Sequence, residues 1–150
     1  MADLTTTVTE SVVLNGALRG NTNTVTTTGI NNVFERIVTC ENSQETIVAV
    51  FGTAPYSSAG AIDIQNARYI RITNLDADAW IEVAIVTTAS NYQVLLTPGN
   101  SHILAQGEAV ALAEEDTSPS FGTLENLASI IVKPVGVSFD PQVSVFVAAL

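Results

Sequence analysis

This 150-residue chain contains one cysteine, one histidine and one tryptophan, and those scarcities exclude a good deal. A lone cysteine, Cys40, cannot close an intrachain disulfide and reads as a small buried hydrophobe on a strand. One His and one Cys fall short of the nitrogen and sulfur set that zinc takes within a single subunit. A Ser-His-Asp site would have to use His102. Its neighbour Ser101 is adjacent only in sequence, and a surface histidine on a strand or turn is the plainer reading. Positive charge is equally scarce: Arg19, Arg36, Arg68, Arg71 and Lys133 stand against fifteen acids, for a net charge of −10 and a pI near 4.1. No basic cluster exists to neutralise phosphates, so no nucleic-acid partner is expected, and an anionic membrane would repel the chain. No apolar run approaches the length of a membrane span. The start, MADLTTTVTE, lacks the charged and apolar regions of a secretion signal. The expectation is a soluble protein made in a reducing cytoplasm.

Other motifs are missing too. There is no glycine-rich phosphate loop, no repeat of fixed period and no paired-carboxylate signature. Asp76-Ala77-Asp78 resembles a fragment of a calcium loop but lacks the further oxygen ligands and the glycine at fixed offset. Asx residues in a hairpin turn explain it without metal. Glu114-Glu115-Asp116 reads the same way. No metal, cofactor or catalytic residue is therefore expected, and the chain is not expected to be an enzyme. Trp80 with Tyr69 and Tyr92 could form a sugar-stacking platform, although strand aromatics more commonly serve as core residues or cross-strand pairs.

What the chain does contain is strand. Hydrophobic residues make up 47% of it and charged residues only 13%, so the polar surface must come from Thr, Ser, Asn and Gln. That composition excludes disorder and suits a pleated surface, on which β-branched Thr packs well. The stretch from Ala67 to Leu104 organises the rest. Ile70 and Ile72 alternate with Tyr69, Arg71 and Thr73. After the turn Leu75–Ala79, Ile81, Val83 and Ile85 form a wholly apolar face opposite Trp80, Glu82, Ala84 and Val86. Tyr92 to Thr97 is the third strand, closed by Pro98-Gly99.

Elsewhere, Thr5 to Asn15 reads as an extended first strand ended by the Asn15-Gly16 turn signal. The Thr/Asn-rich tract Ala17 to Gly29 reads as a loop or a loosely held strand around Thr24 to Thr28, with a flexible arm as the competing reading. Val33 to Gly52 reads as a hairpin whose second half, with both faces apolar, should be central and buried. Ala109 to Ala113 favours a strand over a short helix, and Thr123 to Val132 opens with helical spacing before turning β-branched. Pro134 should interrupt its ladder. Gln142 to Leu150 is the last strand.

Nine or ten short strands at regular spacing predict a single all-β domain over residues 1–150, a jelly-roll-like β-sandwich. Residues 1–30 are expected as an extended N-terminal arm or edge strand. The expected core is Ile70, Ile72, Val83, Ile85, Leu95, Val48 and Val50.

The runs YIRITNLDADAWIEVAIV (69–86) and YQVLLTPGNSHIL (92–104) resemble a segment of small virion structural proteins of tailed bacteriophages. The start, VTESVVLNGALRGNTNTVTTTGINNVFERIVT (8–39), is similar in texture. The resemblance covers most of the chain and implies a β-sandwich that decorates or completes a particle. It carries over no catalytic residue. Its implications are a capsid decoration or cement subunit located on the virion, with the major capsid protein or another virion protein as partner. A symmetric homo-oligomer would follow, with a trimer chosen on symmetry habits alone. Neck, tail and fibre positions stay open. The alternative from a different class is a carbohydrate-binding or adhesive β-sandwich module.

Overall fold

The computed structural model describes residues 1–54, 56, 60–113 and 118–150. Among them are thirteen strands and no α-helix. Nine strands build a sandwich: β5 (Asn32–Thr39), β6 (Thr46–Gly52), β7 (Ala61–Asp63), β8 (Ala67–Asn74), β9 (Trp80–Thr87), β10 (Asn91–Leu96), β11 (Ser101–Leu104), β12 (Leu127–Val135) and β13 (Gln142–Ala149). One sheet has the order β10-β9-β12-β6-β7 and the other β11-β8-β13-β5. Alternation decides what faces inward. Ile70 and Ile72 on β8 and Val143, Val145 and Val147 on β13 meet Ile81, Val83 and Ile85 on β9 and Ile130 and Val132 on β12. Each of these ten side chains is at most 1% exposed. Such alternation is what a sheet with one packed face requires.

The chain changes sheets where hairpins are expected from sequence. β5 and β6 do not pair, since β5 lies beside β13 in one sheet and β6 beside β12 in the other. The turn Leu75–Ala79 likewise crosses from one sheet to the other, whereas β9 and β10 do form a hairpin. β6 departs from strict alternation. Its pairing with β12 slips between Ile130↔Ala49 and Ile131↔Ile47, so Val48 and Ala49 are both buried while Ile47 and Val50 are 57% and 40% exposed. A β-bulge places two consecutive residues against one on the partner strand. Val50, expected in the core, therefore faces solvent. Leu95 does too, at 47% exposed, because of the adjacent pair Leu95-Leu96 it is Leu96 that shares the inward parity of Tyr92 and Val94.

Two other segments differ from expectation. Ala109 to Ala113 contributes only an isolated bridge, Ala111↔Glu125. Thr123 to Val132 makes no helical turn, and β12 runs straight through Pro134, which pairs with Ile81. β6 ends its pairing at Val132, so one side of β12 is already an edge at Pro134, where a missing N–H is tolerated.

Residues 2–30 stand apart from both sheets. β1 (Ala2–Thr9) pairs only with β4 (Thr22–Ile30), and β2 (Val12–Leu14) only with β3 (Ala17–Arg19). Glu10 donates its N–H to the Asn21 carbonyl at 2.8 Å, so the two pairs form one continuous ribbon. Its tip is the Asn15-Gly16 turn, with φ of 51° and 74°, the paired positive values of a type I′ hairpin. Between the pairs, Gly20 has a φ of 104°, and a Cβ there would sit 2.2 Å from the Glu10 carbonyl oxygen. Only glycine fits that close approach. At about 3.3 Å per residue the ribbon reaches roughly 40 Å from its base. The base is tied down: Ile30 is buried and Asn31 donates to the Ala149 carbonyl at 3.1 Å.

Candidate functional site

The chemistry-bearing residues singled out from sequence do not converge. His102 and Ser101 point to opposite faces of β11. Ser101 hydrogen-bonds Thr73 through their hydroxyls at 2.8 Å on the outer surface. His102 is half-buried, and its Nε2 shares a 3.0 Å hydrogen bond with the Tyr92 hydroxyl, the two rings meeting edge-on at 5.9 Å. Tyr92 lies on β10 and His102 on β11, the edge strands of the two sheets, so this pair closes one side of the sandwich. Burial holds the imidazole below its ordinary pKa and pushes the phenol above its own.

A consequence for acid stability follows. A histidine whose folded pKa is depressed binds fewer protons in the folded chain than in the unfolded one. Its contribution is present above the unfolded value of about 6.5 and is lost as pH falls through the lower folded value. The melting temperature should therefore fall as pH drops below about 6.5, and His102→Gln should flatten that part of the profile. Thermal melts from pH 8 to pH 5 check this. An equally steep fall in the variant would assign the effect to other groups.

Asp76 and Asp78 lie in the turn that crosses between the sheets. Asp76 Oδ1 accepts the N–H groups of Asp78 and Ala79, each at 2.8 Å, and those bonds hold its carboxyl below the usual range. Beneath it, fully buried Asn74 donates to the carbonyls of Ala79 at 2.7 Å and Leu96 at 3.2 Å. The Asx geometry accounts for the Asp76 carboxylate. Among the described residues no group of three His, Cys, Asp or Glu could hold a metal. Glu114, Glu115 and Asp116 lie outside the described residues. Cys40 is buried, with its thiol pushed up to about 11 by desolvation and 3.7 Å from the Val38 carbonyl oxygen, which makes it a poor nucleophile.

The three aromatics do not form one platform. Trp80 is on the outer face of the five-stranded sheet, 49% exposed, while Tyr69 is on the outer face of the other sheet, edge-on to Phe146 at 6.0 Å. Tyr92 faces inward. The alternation that puts Trp80 and Tyr69 outward is visible in the sequence, but their assignment to opposite sheets is not.

Glu125 is a feature with no sequence signal. Its Oε2 accepts from the Thr87 hydroxyl at 2.5 Å, the Ser90 hydroxyl at 2.8 Å and the Ala89 N–H at 3.1 Å. These bonds depress its pKa and fasten the β9–β10 turn to the segment entering β12. The role is structural.

What remains are surfaces. The ribbon exposes Val8, Val12, Val13, Leu14, Leu18 and Val25 at 48–71%. On one of its faces Thr5, Thr7 and Thr9 stand opposite Thr26, Thr24 and Thr22, joined by hydroxyl bonds of 3.1 and 3.3 Å. Leu4, Val8 and Val25 occupy the other. Both long edges are unpaired, with neither Lys nor Pro to protect them. A second surface is the outer face of the four-stranded sheet. There Arg71 lies over Phe146 at 5.5 Å, its Nε buried without a hydrogen-bond partner, and Val33, Ile37 and Ile103 are exposed nearby.

A scan against protein-family models gives no match to this chain, and a search of curated proteins gives no significant one.

Proposed function

We propose that the protein is a structural subunit of a tailed-phage virion, a decoration or cement protein that works as a symmetric homo-oligomer on the outer shell. The observation that carries this reading is the ribbon. A two-stranded hairpin is at best marginally stable by itself in water, yet this one holds a single register from Leu4↔Thr27 to Leu14↔Ala17. Along it six large apolar side chains are left to solvent. An arm of that kind gains its stability from a partner, through apolar contact and through strand addition along its open edges. It carries only three charges, Asp3, Glu10 and Arg19, so little desolvation opposes docking. The rest of the chain is strongly acidic, which suits the exterior of a shell better than its nucleic-acid side. The Arg71–Phe146 face offers a second contact whose buried, unpartnered Nε is ready for a carboxylate.

Electron microscopy of purified particles, paired with co-sedimentation of the isolated protein on stripped particles, tests the reading. The expected result is density for this chain at fixed, symmetry-related outer positions and saturable binding at a fixed ratio to the major capsid protein. A strict monomer that stays in the supernatant at every concentration would overturn it.

A further inference from the structure

Beyond that reading, we infer that the outer face of the five-stranded sheet is a binding groove for a neutral oligosaccharide. The groove encloses about 370 Å³, within the range of small-molecule sites. Register builds it. Lys133 stands directly opposite Glu82 on one side, Gln93 opposite Ala84, and Asn91 opposite Val86. Ala84 and Ile131 give its floor an apolar patch. Among the described residues, the side chains of Glu82, Lys133, Asn91 and Gln93 have no hydrogen-bond or ion-pair partner, although Glu82 and Lys133 are cross-strand neighbours of opposite sign.

Four free polar heads over an apolar floor select the ligand. A purely apolar molecule would bury them unsatisfied, which costs binding free energy at each one. An anion meets Glu45 and Glu82 in the groove and a chain of net charge −10 behind them. A cation is drawn by the two carboxylates but leaves the Lys133 ammonium, which can only donate, without an acceptor. An uncharged, densely hydroxylated chain satisfies all four. Vicinal hydroxyls donate to the Glu82 carboxylate, the amides of Asn91 and Gln93 both donate and accept, and Lys133 donates to ring or hydroxyl oxygens. Next in line beyond Glu82 on the same face is Trp80, 49% exposed and opposite Val135. Its indole offers the flat surface on which the C–H face of a pyranose rests.

The groove does not involve the ribbon, so its test is separable from the proposed virion role. Trp80 is the chain's only tryptophan, and its emission reports directly on this face. The full-length protein is titrated with hexasaccharides of glucose (α-1,4 and β-1,4), mannose, xylose and N-acetylglucosamine. Oligogalacturonate and chitosan oligomers serve as anionic and cationic controls. At least one neutral member should give a saturable emission shift with a dissociation constant below about 10 mM. Glu82→Ala and Gln93→Ala, both at exposed positions, should each raise that constant about tenfold or more. Ile103→Ser, on the opposite sheet, should leave it unchanged. Circular dichroism confirms that the variants fold. The inference is overturned if no neutral member gives a saturable shift, if only a charged control binds, or if both groove variants bind as the parent does.

Discussion

Replacing Ile85 with alanine should destabilise the fold by about 2–5 kcal/mol. Ile85 is 0% exposed and sits on an interior strand of its sheet, opposite Tyr92 on β10 and Ile130 on β12. The substitution removes three buried carbons and leaves a cavity at the inner face, and β12, held by a second ladder to β6, cannot move in to close it. Chemical denaturation reads the change as a lower midpoint with an unchanged slope. Leu95→Ala is the matched control, because that residue, of the same apolar class, lies outward at 47% exposed. Its cost should stay within about 0.5 kcal/mol, as at surface sites generally. Equal costs at the two positions would show that the inward face of the sheet is wrongly assigned.

The pair also shows what was legible in the sequence. Ile81, Val83 and Ile85 alternate with Trp80, Glu82 and Ala84, and a single polar residue on one parity was enough to orient the strand. Thr46–Gly52 offered no such marker. Both parities of Thr46–Gly52 are apolar, so the bulge at Val48, which is not a local property, decided the outcome there; in β10 the polar residues Asn91 and Gln93 share the parity of Leu95 and did mark it as outward. The sheet-crossing turns were hidden for a similar reason. Leu75–Ala79 has the composition of a hairpin turn, and the bond that ties it across the sheets, from buried Asn74 to Leu96, joins residues distant in sequence. Pairing partners distant in sequence, such as β13 between β5 and β8, leave no trace in local patterning.

The surfaces were legible in part. The low-charge Thr/Asn tract reads as a loop, a loosely held strand or an arm, where the structure has the regular strand β4, and Asn15-Gly16 reads as a turn. Their union into a long ribbon depends on Gly20, whose role shows only in its contact with Glu10. The oligosaccharide groove gathers residues from β9, β10 and β12, so no window of sequence contains it. Trp80, next to it on the same face, was singled out from sequence, and the aromatics grouped with it lie elsewhere in the fold.

The second large effect concerns the ribbon itself. Val13 and Leu18 face each other at its tip, each 71% exposed. The double variant Val13→Ser, Leu18→Ser should leave the melting temperature of the sandwich within a few degrees, since surface changes are worth about 0.5 kcal/mol. It should nevertheless weaken docking by about 100-fold or more if these side chains anchor the arm. Removing residues 2–28 goes further while keeping buried Ile30 at the base of the sandwich. The most direct measurement is co-sedimentation of parent, double variant and shortened chain with stripped particles, with melting temperatures taken on the same samples. The expected result is a parent that pellets at saturation and two ribbon variants that stay in solution with an intact sandwich. Folded ribbon variants that pellet as the parent does would contradict the role assigned to the ribbon.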